Sequence, residues 1–273
     1  MGNRKPRLSA ILLLGITTGC MVCEFFIPKN PLYMDLSSFS LPPGKEFWFG
    51  TDALGRDIFS MIWYGGRSSL VIGFASSLLS ALIAVIYGAV SGMAPEWLDN
   101  LMMRFTEILL SVPELLLLIF FQAAFGQNNL MGMAVVIGIT GWMTMAKVIN
   151  TEIKQLKNSE YVLAAKALGA GFFSILWKHL TPGFFSSIMF MSIMNFRNAI
   201  LAEATLSFMG MGLPLEIISW GSMLSQAGGA LLTKAWWMIL IPGIFLISTL
   251  FCMTNLGDYI EKRKNPRVSH LKI

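Results

Sequence analysis

Charge is scarce in this chain: Asp, Glu, Lys and Arg make up 13% of its 273 residues, about half the roughly 25% of an ordinary soluble domain. So little charge excludes a protein that presents most of its surface to water. Three cysteines and two histidines leave little for metal or redox chemistry. Cys20 and Cys23 lie inside one apolar run and Cys252 inside another; without a second pair they read as small buried hydrophobes, not as a zinc or thiol site. No phosphate-binding loop is present, because Gly44-Lys45 is followed by Glu46, and Gly210-x-Gly212 lacks the third glycine of a dinucleotide fingerprint. The chain is therefore expected not to bind ATP itself. His-Glu-x-x-His and Gly-x-Ser-x-Gly are also missing, and Gly257-Asp258 has no second intramembrane aspartate with which to share a proton. We expect no catalytic residue, no resident cofactor and no metal ligand set; the 19 methionines read as adaptable core filling.

What the sequence does have is apolar length. Hydrophobic residues reach 55%, and runs of about 20 recur, the length that crosses about 30 Å of hydrocarbon. Six spans are predicted: Leu8 to Ile27, Leu70 to Ser91, Leu101 to Ala123, Leu130 to Val148, Phe184 to Phe208 and Trp237 to Leu256. Lipid offers the backbone no hydrogen bonds, and these runs neither alternate nor suit the length of barrel strands, so they are helices. The expectation is an all-α membrane protein of one transmembrane domain, 1–273. Its parts are a retained first helix (1–27), an extracytoplasmic segment (28–69), a core (70–260) and a tail (261–273).

Orientation follows from the basic residues, which flank the apolar runs and form no patch that would suit a nucleic acid. With the amino terminus inside, inner segments hold 14 of the 20 Lys and Arg and outer segments 5, with Arg197 inside a span. Both termini are thus expected in the cytoplasm. Trp220, Trp236 and Trp237 outside, and Trp97 inside, read as interfacial anchors in contact with membrane lipid. The inner connection over 147–183 is too rich in helix formers to be a loose loop: Ala164, Ala165, Ala167 and Leu168 favour helix, Gly169 to Gly171 turn the chain, and Phe172 to His179 resume a helix that Pro182 stops.

That connection carries a resemblance. Leu163-Ala164-Ala165, Gly169 and Pro182 fall in the register of the Glu-Ala-Ala loop of binding-protein-dependent ABC importers, with Leu163 in place of the family glutamate and Glu160 supplying a nearby charge. Gly50-Thr51-Asp52-Ala53-Leu54-Gly55-Arg56-Asp57, Gly66-Arg67-Ser68-Ser69-Leu70, Glu203-Ala204-Thr205-Leu206-Ser207-Phe208, Ser219-Trp220-Gly221-Ser222 and Asn255-Leu256-Gly257-Asp258 are similar to segments of the second permease in dipeptide, oligopeptide and nickel importers. The resemblance runs over 48–267. It implies a permease that pairs with a homologous second permease, two cytoplasmic ATPase subunits that carry ATP and Mg, an extracytoplasmic solute-binding protein, and the cytoplasmic membrane of a prokaryote. Transport would proceed by alternating access. Glu160, Ala164, Ala165, Gly169 and Pro182 would couple to the ATPases, the small residues permitting close approach of a partner. Peptide is the expected cargo, with nickel or a metal chelate as the alternative; a secondary transporter, which would need its own ion-coupling site and typically inverted repeats, and a non-transporting membrane scaffold are the remaining readings.

Charges and amides inside the spans mark a polar path or a subunit contact, because lipid exposure is costly. Arg104, Glu107, Ser111 and Glu114 share one stripe of the third span, with Arg104 and Glu107 able to pair and Glu114 deeper, beside a kink at Pro113. Asn195, Arg197, Asn198 and Glu203 mark the fifth. Arg197 and Glu203 are six residues apart and so lie on different faces.

Overall fold

The structure, a computed structural model, describes residues 6–27, 30–125, 129–157, 159–169, 171, 174, 181–231 and 234–264. These fold into helices α1 (Arg7–Phe26), α2 (Ile58–Met93), α3 (Glu96–Ser111), α4 (Glu114–Phe125), α5 (Leu130–Thr140), α6 (Met143–Leu156), α7 (Glu160–Ala167), α8 (Thr181–Phe208), α9 (Trp220–Gln226) and α10 (Trp237–Lys264). Among the described residues no strand forms, and one isolated bridge joins Thr51 to Asp57. The all-helical expectation holds.

The spans are less regular than their hydropathy suggests. Among the described residues three helices, α1, α2 and α10, are long and apolar enough to cross a membrane, or five spans if two bent pairs each count as one. The predicted third span is broken into α3 and α4, bent by 92°. Proline cannot donate to the helix and disfavours helical geometry in the residue before it; Val112 accordingly turns extended, at φ −83° and ψ 131°. The predicted fourth span bends by 43° between α5 and α6. The fifth lies within α8, which is 28 residues long but is not among the helices that qualify by length and apolarity. Pro182 sits in the first turn of α8, where its missing N–H would have had no intrahelical partner. Of the expected preceding helix, Phe172 to His179, residues 172–173 and 175–179 lie outside the described residues.

α2 is the axis of the bundle. It starts at Ile58, ahead of the predicted Leu70, where Asp57 caps it by accepting from Ser60 N at 3.2 Å. Its 36 residues span about 54 Å, more than the hydrocarbon requires. Before it, residues 30–57 form a compact cap at the start of α2. The fully buried Arg56 guanidinium pairs with Asp52 at 2.6 Å and also donates to Gln226 of α9. Trp237 Nε1 donates to Thr51 O at 3.1 Å.

Two of the expected lipid anchors are core residues instead. Trp220 is fully buried and donates its indole N–H to Ile62 O at 2.9 Å, and Trp237 is buried beside the cap. The sequence places them at an apolar boundary, but both belong to the buried core cluster with Ile62 of α2 and Ile200 of α8. Trp97 and Trp236 are exposed. The three cysteines are free and buried.

Candidate functional site

The inner connection is built on α6. Its apolar side carries Ile149 and Ile153, both buried, which rest on Gly88 and Gly92 of α2. A Cβ on Gly88 would lie 2.8 Å from Ala146 O and 2.9 Å from Ile149 Cβ; one on Gly92 would lie 2.9 Å from Ile153 Cγ2. The spacing Gly88-x-x-x-Gly92 is a close-approach pattern of membrane helices.

Polar bonds lock the same contact. Asn150 Nδ2 donates to Ser91 Oγ at 2.8 Å and to Asp99 Oδ1 at 2.7 Å, while Asp99 also pairs with Lys154. Lys157 Nζ reaches Gly92 O at 3.0 Å. Ser187 of α8 donates to Glu152. α6 is thereby clamped to the end of α2, the start of α3 and the start of α8. Sequence reasoning does not single out Asp99, Asn150 and Lys154 for this role. Asp99 stands just outside an apolar run and looks like any flanking charge; the glycine pair four apart was the available signal.

Beyond α6 the chain turns into α7. Glu160 opens that helix and is exposed, favourably placed against the positive helix end. Val162 is fully buried in the α2–α6 core, which anchors the elbow to the bundle. Ala165 is half-buried. The side chains of Ala164 and Pro182 lie outside the described residues. Leu168 is 89% exposed. Gly169 adopts a left-handed φ of +82°, and no atom lies within 4 Å of where a Cβ would stand. Within this chain the glycine thus serves the turn and not a close contact.

The second assembly is a cavity of about 440 Å³ at the corner where both bent helix pairs meet α8. Glu114, Asn195 and Asn198, drawn from separate segments, all line it, together with Thr140 and Thr144. Glu114 stands at the first position of α4, immediately after the Pro113 break. Asn195 Nδ2 is buried without a hydrogen-bond partner.

The remaining expected residues lie elsewhere. Glu107 pairs with Arg104 and with Lys147, each at 3.3 Å. Arg197 donates to Asn198 Oδ1 at 2.8 and 3.2 Å and to Thr254 Oγ1 of α10 at 3.2 Å. Glu203 is fully buried and accepts from Ser219 Oγ (2.6 Å), Ser207 Oγ (2.8 Å) and Ser69 Oγ (3.1 Å). A carboxylate caged by hydroxyls of α2, its own helix and the start of α9 is a packing device. It does not line the cavity.

Among the described residues no group of three His, Cys, Asp or Glu is placed to hold a metal ion. The geometry is that of a membrane helix bundle with an exposed elbow and a polar corner that opens at the chain's surface. Residues 84–266, which contain both features, match the family of binding-protein-dependent transport system inner membrane components. The chain belongs to that family. It is a multi-pass membrane protein and, like the family, a permease component with no catalytic role of its own. The oligopeptide transport system permease protein OppC of Bacillus subtilis is 40% identical over 266 residues, which cover 97% of this chain and 87% of that protein. The dipeptide transport system permease protein DppC of the same organism is 35% identical over 266 residues, 97% and 83% of the two chains. OppC of Haemophilus influenzae is 35% identical over 267 residues, 97% and 85%.

Proposed function

We propose that this chain is one permease of an ATP-driven peptide importer in the cytoplasmic membrane of a prokaryote, with six spans and both termini in the cytoplasm. The observation that carries the reading is the match, across 97% of the chain, to permeases named for dipeptide and oligopeptide transport. Those names speak for peptide and do not favour nickel. The chain supplies half of a pathway whose other half is a homologous permease; two ATPase subunits hold ATP and Mg, and an extracytoplasmic binding protein delivers the cargo.

In this reading the elbow is the lever. Leu168, exposed beside the Gly169 turn, is the apolar knob for an ATPase groove, and Glu160 and Ala165 border it. Movement of the ATPases passes from α7 through Val162 into the clamped α6. The cavity that holds Glu114, Asn195 and Asn198 belongs to the path. ATP binding can drive the outward-open state only because the ATPases grip the elbow differently in the two states.

The test is affinity purification of the tagged chain from its own membranes with mass spectrometry of what accompanies it. A second permease, ATPases and a binding protein are expected. Leu168→Asp should lose the ATPases and keep the second permease. Recovery of the chain without any nucleotide-hydrolysing partner, or accumulation of solute by membranes stripped of ATPases, would overturn the reading.

A further inference from the structure

We propose that the cavity is a subsite for a cationic group of the cargo, with the Glu114 carboxylate as its counter-ion. This deepens the importer reading and rests on it. Glu114 is the one charged residue among those lining the cavity, and among the described residues it makes no hydrogen bond or ion pair.

Four other acidic residues of the bundle helices have partners on this chain. Glu107 holds Arg104 and Lys147, Asp99 holds Lys154, Glu203 is enclosed by serines, and Glu152 accepts from Ser187. Glu114 is exposed on this chain, and an unpaired carboxylate on a membrane helix is costly against lipid and calls for a partner or a polar path. The nearest basic residue in sequence to the other lining groups, Arg197, is bound to Asn198 and Thr254 and does not line the cavity. The cavity therefore offers a negative charge with no cation from this chain to cancel it.

Its other walls suit a peptide. Asn195, Asn198 and Thr144 add amide and hydroxyl groups to the wall. Met191 and Met194 also line it, and thioether chains repack around differing side chains. The volume falls within the roughly 300–1,000 Å³ range of small-molecule sites. Ammonium is the cation every linear peptide with a free amino terminus carries.

The probe is charge-selective thiol labelling of the complete transporter in nanodiscs. The three native cysteines are buried, so Thr144→Cys places one reactive thiol in the cavity. Two methanethiosulfonates are compared, one carrying trimethylammonium and one carrying sulfonate, each corrected for its rate on a free thiol. The cationic reagent should react at least about tenfold faster, the scale on which a charged low-dielectric cleft concentrates counter-ions. Adding Glu114→Gln should abolish that preference. In a background with native Thr144, Glu114→Gln should cut trialanine uptake at least about tenfold, about 1.4 kcal/mol, while all partner subunits still co-purify. An unchanged reagent ratio, unchanged uptake, or loss of the second permease from the Glu114→Gln preparation would each overturn the proposal, the last by assigning the carboxylate to a subunit contact. Should the unsubstituted assembly take up no peptide at all, the importer reading fails by itself, and the reagent ratio still reports on Glu114.

Discussion

The clamp between α3 and α6 makes an asymmetric prediction. Asp99 and Lys154 form an ion pair whose carboxylate side chain is 5% exposed and whose lysine is 41% exposed. Removing the lysine by Lys154→Met strands a buried carboxylate, which keeps only the Asn150 amide at 2.7 Å and its place in the first turn of α3. A fully buried pair broken in this way costs about 3–5 kcal/mol; the remaining bond and helix end lower that to about 2–3 kcal/mol. Removing the charge from the other side, by Asp99→Asn, leaves a lysine that simply rehydrates and an amide oxygen that still accepts from Asn150. That change should cost only about 1 kcal/mol. The double variant Asp99→Asn with Lys154→Met should be more stable than Lys154→Met alone by about 1 kcal/mol, because no buried charge is left without a partner. Unfolding titrations in mixed micelles of the four proteins measure the cycle. If Asp99→Asn proves as damaging as Lys154→Met, or if the two losses simply add, the carboxylate is not held by the lysine as described and the clamp argument fails.

Gly169→Pro cannot keep a φ of +82°, since proline is held near −65°; the protein should remain inserted, but its ATPases should no longer co-purify. Glu203→Ala removes the acceptor for three serine hydroxyls and should lower stability by about 3 kcal/mol or more, with Glu203→Gln milder at about 1 kcal/mol because one oxygen still accepts; thermal unfolding in detergent ranks the two. Gly88→Ala would bring a methyl within 2.8 Å of a backbone oxygen of α6 and should cost about 1–3 kcal/mol by overpacking, read in the same micelle titration.

Helices α1, α2, α8 and α10 were legible because an apolar run of membrane length has one common outcome. The bends were legible only in part. Pro113 announced a kink, since a missing donor and a clash are local properties, but its 92° size depends on what α3 and α4 pack against. The turn at Gly141–Trp142 had no such sign: a glycine in an apolar run is compatible with a straight helix, and it is tertiary contact that leaves it facing Asn195 and Ser80. Tryptophan at an apolar boundary reads alike whether lipid or protein covers it, so Trp220 was misplaced. Glu203 invited a functional reading because its three partners come from positions 69, 207 and 219, which no spacing rule connects. Glu114, Asn195 and Asn198 could each be singled out for polarity within apolar runs; that they share one cavity is a property of the folded chain.

α6 joins the two assemblies in one rigid piece. Met143, Thr144 and Met145 at its start line the cavity, Ile149, Asn150 and Ile153 at its middle sit in the clamp, and its end leads into the elbow. Its 14 residues extend about 21 Å, and an unbroken helix carries a displacement over that distance without loss. The break in the helix lies at the other end, in the 43° bend at Gly141 and Trp142. A push on Leu168 therefore cannot be absorbed within α6. It must either turn the helix about that bend, moving Thr144 relative to Asn195, or shear the glycine contact with α2. The clamp opposes shear, because Asp99, Ser91 and the Gly92 carbonyl would all lose their partners together. Coupling in an importer built this way requires the α2–α3 corner to travel with α6, so variants that loosen the clamp should let the ATPases turn over without moving cargo.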